Sequence, residues 1–160
     1  MIYYFIAFLI LLLDQSTKWL VVHKMDLYES IPVIHGFFYL TSHRNRGAAF
    51  GILQDKIWLF IVITVIVVAF IIYYLRQMKN TSTGMSISFS LILGGAVGNL
   101  VDRVLKGEVV DFLHFQFGSY QFPIFNIADS SIVIGVSLLL ILTFFTAEHK
   151  ESLSEMRDTR

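Results

Sequence analysis

Four runs of apolar residues, each long enough to cross a lipid bilayer, constrain this chain more than any other feature. A spanning helix needs roughly 20 mostly apolar residues, with a range of about 17 to 25. Ile2 to Val22, Ile57 to Leu75, Met85 to Val101 and Ser130 to Ala147 meet that requirement, and the second is the purest, with Thr64 as its polar exception. Lipid offers a backbone amide no partner, so each run must satisfy its own hydrogen bonds as a helix. The first run has the look of a secretory signal peptide, but no basic residue precedes it and no small-residue cleavage site follows, so it reads as a retained helix. The expected fold is an all-α membrane protein of four transmembrane helices, at about 2–22, 57–75, 85–101 and 130–147, in a single integral membrane domain over residues 1–160.

Four spans put both termini on one side, together with the short connection near 76–84, and place the long connections, about 23–56 and 102–129, on the other. Charge bias leaves the orientation open. The terminal side carries Arg76, Lys79, Lys150, Arg157 and Arg160, against Lys24, Arg44, Arg46, Lys56, Arg103 and Lys106 opposite. In the first long connection, Gly36-Phe-Phe-Tyr-Leu-Thr41 follows Pro32 and is rich in β-formers, which predicts a short strand. Its aromatic residues suit a small β-containing loop region lying on the membrane surface. Gly94-Gly-Ala-Val-Gly98 has small residues at the spacing that lets helices approach closely, and the tail 148–160 reads as solvated and frayed.

Composition removes several kinds of chemistry. Hydrophobic residues make up 56% of the chain and charged ones 15%, against about a quarter charged in a soluble domain. Twelve basic and twelve acidic residues cancel, so there is no basic footprint for nucleic acid. With no cysteine, thiolate nucleophiles and Cys-based metal sites are excluded. The histidines His23, His35, His43, His114 and His149 are dispersed and match no zinc spacing, so neither metal nor other cofactor is expected. Ser16 lies two residues from Lys18, on a different side of the helix, which argues against a Ser-Lys hydrolase.

What remains is a set of polar side chains at the rims of apolar spans, where a charge is costly and therefore a functional candidate. Asp14 and Lys18 stand at i and i+4 and can pair; a buried ion pair that pins helix packing is the plainer reading. Asn99, Asp102 and Arg103 share a helix face. Asp102 and Arg103 read as a solvated helix end, but Asn99 lies a turn deeper and calls for a polar cavity. Asp111 sits in the apolar run Val109-Val-Asp-Phe-Leu113 with no local partner, and Asp129 opens the last span, where an N-cap is the plainer reading. Two carboxylates brought together at a bilayer rim share a proton, which is what aspartic-protease chemistry requires. A proton-coupled transporter using Asp14, Asp102, Asp111 and Asp129 is the competing reading, opposed by their gathering at one rim and by the lack of a mid-span proline. A membrane scaffold held by ion pairs is a third.

Asp14-Gln-Ser-Thr-Lys18, Asn45-Arg-Gly-Ala-Ala-Phe50, Gly95-Ala-Val-Gly-Asn-Leu-Val-Asp-Arg103, Val109-Val-Asp-Phe112 and Phe125-Asn-Ile-Ala-Asp-Ser130 follow one another among the four spans. Taken together, this series resembles the bacterial lipoprotein signal peptidases, also called signal peptidase II, over nearly the whole chain. The resemblance implies an aspartic endopeptidase of the cytoplasmic membrane that cuts signal peptides from prolipoproteins, just before a diacylglyceryl-modified cysteine. It implies Asp111 and Asp129 as the catalytic pair, and Asp14, Lys18, Asn45, Asn99, Asp102, Arg103 and Asn126 as the supporting polar shell. It further implies cytoplasmic termini and a site near the extracytoplasmic face. Prolipoproteins and membrane lipids are then the expected partners, no nucleic acid is, and the enzyme is expected to work as a monomer.

Overall fold

The computed structural model describes residues 2–47, 56–77 and 83–158, with side chains described through residue 145. Four helices, α1 (Ile2–Lys24), α2 (Ile57–Gln77), α3 (Thr83–Lys106) and α4 (Ile127–Asp158), are each long and apolar enough to cross a membrane, α4 through its segment Ile127–Phe145. The four-helix membrane fold expected from the apolar runs is present. Phe50, at the end of the second motif, lies outside the described residues.

α3 is the axis of the bundle and packs against each of the other three helices. Of its apolar window 61% is buried, against 6% for α2, which leaves almost all of its surface uncovered by the rest of the chain. Small residues make this central position possible. A Cβ on Gly94 would lie 2.6 Å from the Ala7 carbonyl oxygen of α1, one on Gly95 would overlap the Ala128 carbonyl of α4, and one on Gly98 would lie 2.6 Å from Asp14 Oδ2. The glycine pattern is thus a packing device, as its spacing suggests. Two serines of α3 turn their hydroxyls onto its own backbone, Ser88 Oγ to the Gly84 carbonyl and Ser90 Oγ to that of Ser86. α2 joins α3 where Ile71 enters a core of Ala7, Phe89, Ile92 and Leu93.

The structure departs from sequence expectation at the helix ends and in the loops. α3 runs on to Lys106 with Arg103 in its last turn, and Asp102, read as part of a solvated helix end, is fully buried. α4 begins at Ile127 and continues to Asp158, so most of the tail read as frayed is helical; Glu, Lys, Leu and Met are good helix formers and need no lipid to hold the backbone pattern.

Instead of one short strand the described residues form four, β1 (Ser30–Ile34), β2 (Phe38–Asn45), β3 (Val109–Phe117) and β4 (Tyr120–Gln121), in one antiparallel order β1-β2-β3-β4. Pro32 lies within β1 and does not merely precede the sheet; β1 is an edge, where a missing N–H is tolerated. β2 carries a bulge between Leu40 and His43 before pairing His43 with Asp111.

Two details deliver the carboxylates. Gly107, at φ +71°, ends α3 in the left-handed conformation that glycine adopts without steric cost, and so turns the chain into β3. Val110 and Phe112 then join Val21 of α1 in a second core, while Phe125 pairs with Leu113, its N–H donating to the Leu113 carbonyl at 3.1 Å and its carbonyl accepting the Leu113 N–H at 2.8 Å. The residue after that clamp is Asn126, which places its side chain beside Asp111 as α4 starts.

Candidate active site

Asp14, Lys18 and Asp102 are fully buried at the junction of α1, α3 and α4. Lys18 Nζ lies 2.8 Å from Asp14 Oδ2 and 2.9 Å from Asp102 Oδ2, and donates to Asn99 Oδ1 at 2.9 Å. Asp102 Oδ2 has no well-angled hydrogen bond, so its contact with Lys18 is ionic; its other oxygen meets Lys106 Nζ at 3.1 Å. The expected i, i+4 pair is there, but it belongs to a larger group. Asp14 Oδ1 also accepts the Ala128 N–H at 3.0 Å, so α1 supplies a carboxylate to the N-terminus of α4.

Three asparagines from three different segments surround a second pair of carboxylates. Asp111 Oδ2 accepts from Asn45 Nδ2 at 2.9 Å, and its Oδ1 from Asn126 Nδ2 at 2.7 Å. Asp129 Oδ1 accepts from Asn99 Nδ2 at 2.7 Å, and its Oδ2 from the Asn126 N–H at 3.2 Å. The N-cap reading of Asp129 is corrected here. Asn126 is the N-cap, its Oδ1 accepting the Asp129 N–H at 2.9 Å, and Asp129 occupies the third helical position and reaches back to the cap's own N–H. This is a capping box with the two acidic and amide roles interlocked. Asn126 therefore touches both carboxylates, one through its side chain and the other through its backbone.

Asp111, 2% exposed, is pushed up to about 7, first by burial and then by the neighbouring charge of Asp129, against the pull of the Asn45 and Asn126 donors and of Lys18. Its environment contains amides where Asp14 and Asp102 have an ammonium. At pH near 7 such a group is partly protonated, which suits proton transfer in both directions.

The Arg103 guanidinium lies over the Phe60 ring of α2, 5.0 Å from the centroid, within electrostatic reach of Asp129, Asp111 and Asp102. Asn99 does face polar groups, namely Lys18, Asp129 and Asn126.

Some participants escaped the sequence reading. Gln15 Nε2 donates to the Gly98 carbonyl at 3.1 Å and to Asp14 Oδ2 at 3.2 Å, and its signal was a second amide-type polar residue inside an apolar span. His43 faces Asp111 in register, with burial first, then Arg44 and His114, lowering its pKa. His114 accepts or donates to Thr41 Oγ1 at 3.0 Å within the sheet.

Two interlocked carboxylates, one poised near neutrality, match the requirement of an aspartic hydrolase, and comparison with known proteins decides the family. Residues 6–145 match the family model described as signal peptidase (SPase) II. The chain belongs to the signal peptidase II family. It is 57% identical to the lipoprotein signal peptidase of Bacillus pumilus (strain SAFR-032) over 141 residues, covering 88% of this chain and 91% of that one. It is 54% identical to that of Geobacillus kaustophilus (strain HTA426) over 147 residues, with 92% and 96% covered. A bacterial membrane enzyme structure obtained by the in meso method at 2.3 Å resolution superposes with a TM-score of 0.85 at 42% identity, over 92% of this chain and 90% of the other. As a member of the signal peptidase II family the protein is a multi-pass membrane hydrolase of aspartic-protease type, which sets aside the transporter and scaffold readings.

Proposed function

We propose that this protein removes the signal peptides of diacylglyceryl-modified prolipoproteins, cutting before the lipidated cysteine with Asp111 and Asp129 as the catalytic pair. The single observation that carries the reading is Asn126, which hydrogen-bonds Asp111 Oδ1 with its side chain and Asp129 Oδ2 with its backbone. A water held between the two carboxyls gives a proton to the ionised one as it attacks the scissile carbonyl carbon. The protonated one gives its proton to the carbonyl oxygen. Collapse of the tetrahedral intermediate breaks the C–N bond, and the departing amine takes up the proton the base had accepted. Asn45, Asn99 and Asn126 hold the carboxyls; Asp14, Lys18 and Asp102 hold the helices that carry them; Arg103 positions its end of α3 against α2.

The substrate explains the architecture. A signal peptide is an apolar helix and the diacylglyceryl group is apolar, so both stay in lipid while the scissile bond reaches the polar rim. Two membrane partners and one chain are enough, since all groups of the pair come from a single copy acting as one integral membrane domain. The termini are placed in the cytoplasm and the carboxylates near the extracytoplasmic face. Single cysteines at Gln77 and Ser119 test that orientation in intact cells: an impermeant thiol reagent should label Ser119→Cys and spare Gln77→Cys, and the reverse pattern would refute it. For the chemistry, a diacylglyceryl preprotein followed on a gel should be cut by the parent and left intact by Asp111→Asn and by Asp129→Asn at matched protein level. More than a few per cent of parental turnover in either variant would remove that residue from the pair.

A further inference from the structure

Two histidines stand on the central strands of the sheet, and they are satisfied differently. His114 is buried, and its Nδ1 meets Thr41 Oγ1 at 3.0 Å, with Ser30 Oγ 2.8 Å from the same hydroxyl. His43 Nδ1 is covered by protein and has no hydrogen-bond partner, a state that costs free energy and calls for a reason in a native fold. The place of His43 supplies one. It is paired with Asp111 across β2 and β3, and residues directly opposite in an antiparallel pair share a face, their Cβ atoms about 4.5–5.5 Å apart. Asn45, two residues further along β2 and so on that same face, donates to Asp111 Oδ2 at 2.9 Å. His43 therefore borders the carboxyls proposed to react.

Against the His43 ring packs Tyr28, edge-on, with centroids 6.2 Å apart and planes at 72°. Among the described residues Tyr28 is the one non-glycine at positive φ, +68°, where a bulky side chain is rarely found. Its N–H donates to the Ser42 carbonyl at 2.8 Å, and the Ser42 N–H donates to the Glu29 carbonyl at 2.9 Å, which holds the turn in that form. Glycine would take the same conformation without strain. The chain instead keeps a strained backbone that sets a phenol ring against an unpaired imidazole, and strain of this kind persists where a function uses it. Tyr28 is 67% exposed, so its ring can turn aside without disturbing the core.

We infer that His43 is a substrate-binding residue of this site, covered in the free enzyme by Tyr28: when the phenol ring turns aside, the imidazole Nδ1 hydrogen-bonds a backbone peptide group of the substrate beside the scissile bond. The inference rests on the Asp111–Asp129 reading given above. A peptide group offers both an N–H and a carbonyl, and a neutral imidazole nitrogen meets one or the other according to its tautomer. The two local costs, an unpaired buried nitrogen and a strained tyrosine, are then features of the empty site, and binding removes the first.

The test reads affinity apart from turnover. Asp129→Asn, expected to bind substrate without cutting it, leaves Asp111 and His43 in place, and the Kd of a fluorescent diacylglyceryl preprotein can be titrated in that background. Adding His43→Leu should weaken binding about three- to tenfold, the worth of a neutral hydrogen bond, and leave the unfolding temperature equal or higher, because an unpaired buried polar atom is gone. His43→Asn, which carries a polar atom close to the Nδ1 position, should bind within about twofold of the background. Tyr28→Gly should tighten binding about two- to tenfold, since the ring no longer has to be displaced, and that gain should vanish when His43→Leu is added. An unchanged Kd in folded His43→Leu would overturn the inference. So would an equal loss in His43→Leu and His43→Asn, or a loss accompanied by a lower unfolding temperature, since either would mark a packing role. Should His43→Leu fail to fold, Tyr28→Gly alone decides: tighter binding supports the covered site, and weaker or unchanged binding refutes it. Cleavage by Asp129→Asn, followed in parallel, would refute the catalytic pair, and the KM ratios of the same variants would still test His43, so the two failures are distinguishable.

Discussion

Two groups of carboxylates lie side by side in this molecule, and they differ in what faces them. Asp14 and Asp102 flank the ammonium of Lys18, and Lys106 reaches the outer oxygen of Asp102. Asp111 and Asp129 are faced by asparagine side chains and a backbone N–H. Removing one member of a buried ion pair leaves its partner without a counter-charge. A carboxylate held by neutral amides is satisfied as an acceptor yet can still take a proton. The first arrangement fastens helices, and the second suits the proton transfers proposed for it. Asn99 joins them, touching Lys18 with its oxygen and Asp129 with its nitrogen.

The cation-paired group should show itself in stability. Asp102→Ala leaves Lys18 facing a cavity and should lower unfolding stability by about 3–5 kcal/mol, seen as a reduced unfolding temperature in detergent and reduced protein level. An effect under about 1 kcal/mol would mean the group does not bind the helices together. Gly98→Ala pushes a methyl against the Asp14 carboxylate and the Ala128 Cβ of α4, and should cost about 1–3 kcal/mol by the same measurement.

Smaller changes sharpen the contrast. Asn45→Ala removes one donor from Asp111 and should cost about 0.5–1.5 kcal/mol in kcat/KM. Because that donor stabilises the charged form, its loss should also move the alkaline limb of the rate profile upward; a downward shift would mean that Asn45 accepts from the carboxyl. Arg46 and Glu108 meet at 3.1 Å on the surface, with the arginine side chain 66% exposed, so Arg46→Ala should change stability by about 0.5 kcal/mol or less. A loss comparable to that of Asp102→Ala would erase the distinction between buried and exposed pairs.

The bundle was legible because its signal is coarse: span-length apolar runs permit one kind of backbone solution. The Asp14 and Lys18 pair was legible for a similar reason, since i, i+4 spacing on a helix fixes proximity. The sheet was read only at residues 36–41, because in β3 Asp111 and His114 interrupt any simple alternation and the sequence Val-Val-Asp-Phe-Leu is equally compatible with a buried loop. The position of Asp129 was misread by three residues for lack of a local cue favouring Asn126 as the cap. Which cation faces which carboxylate depends on contacts between residues up to 114 positions apart, as for Asp14 and Ala128, and no local pattern encodes them.

The most direct test of the account takes one sample of Asp111→Asn and reads it twice. The parent Asp111 goes from 3.8 unfolded to about 7 folded, so the folded state keeps a proton that the unfolded state gives up, and parental stability should fall as pH rises through that window and level off above it. Asparagine cannot ionise, so Asp111→Asn should lose this part of the decline and unfold no more easily than the parent at pH 8, while cutting no detectable diacylglyceryl preprotein. A variant that retains cleavage, or that is inactive because it no longer folds, would contradict the claim that an amide-held carboxylate is kept here for catalysis at the expense of stability.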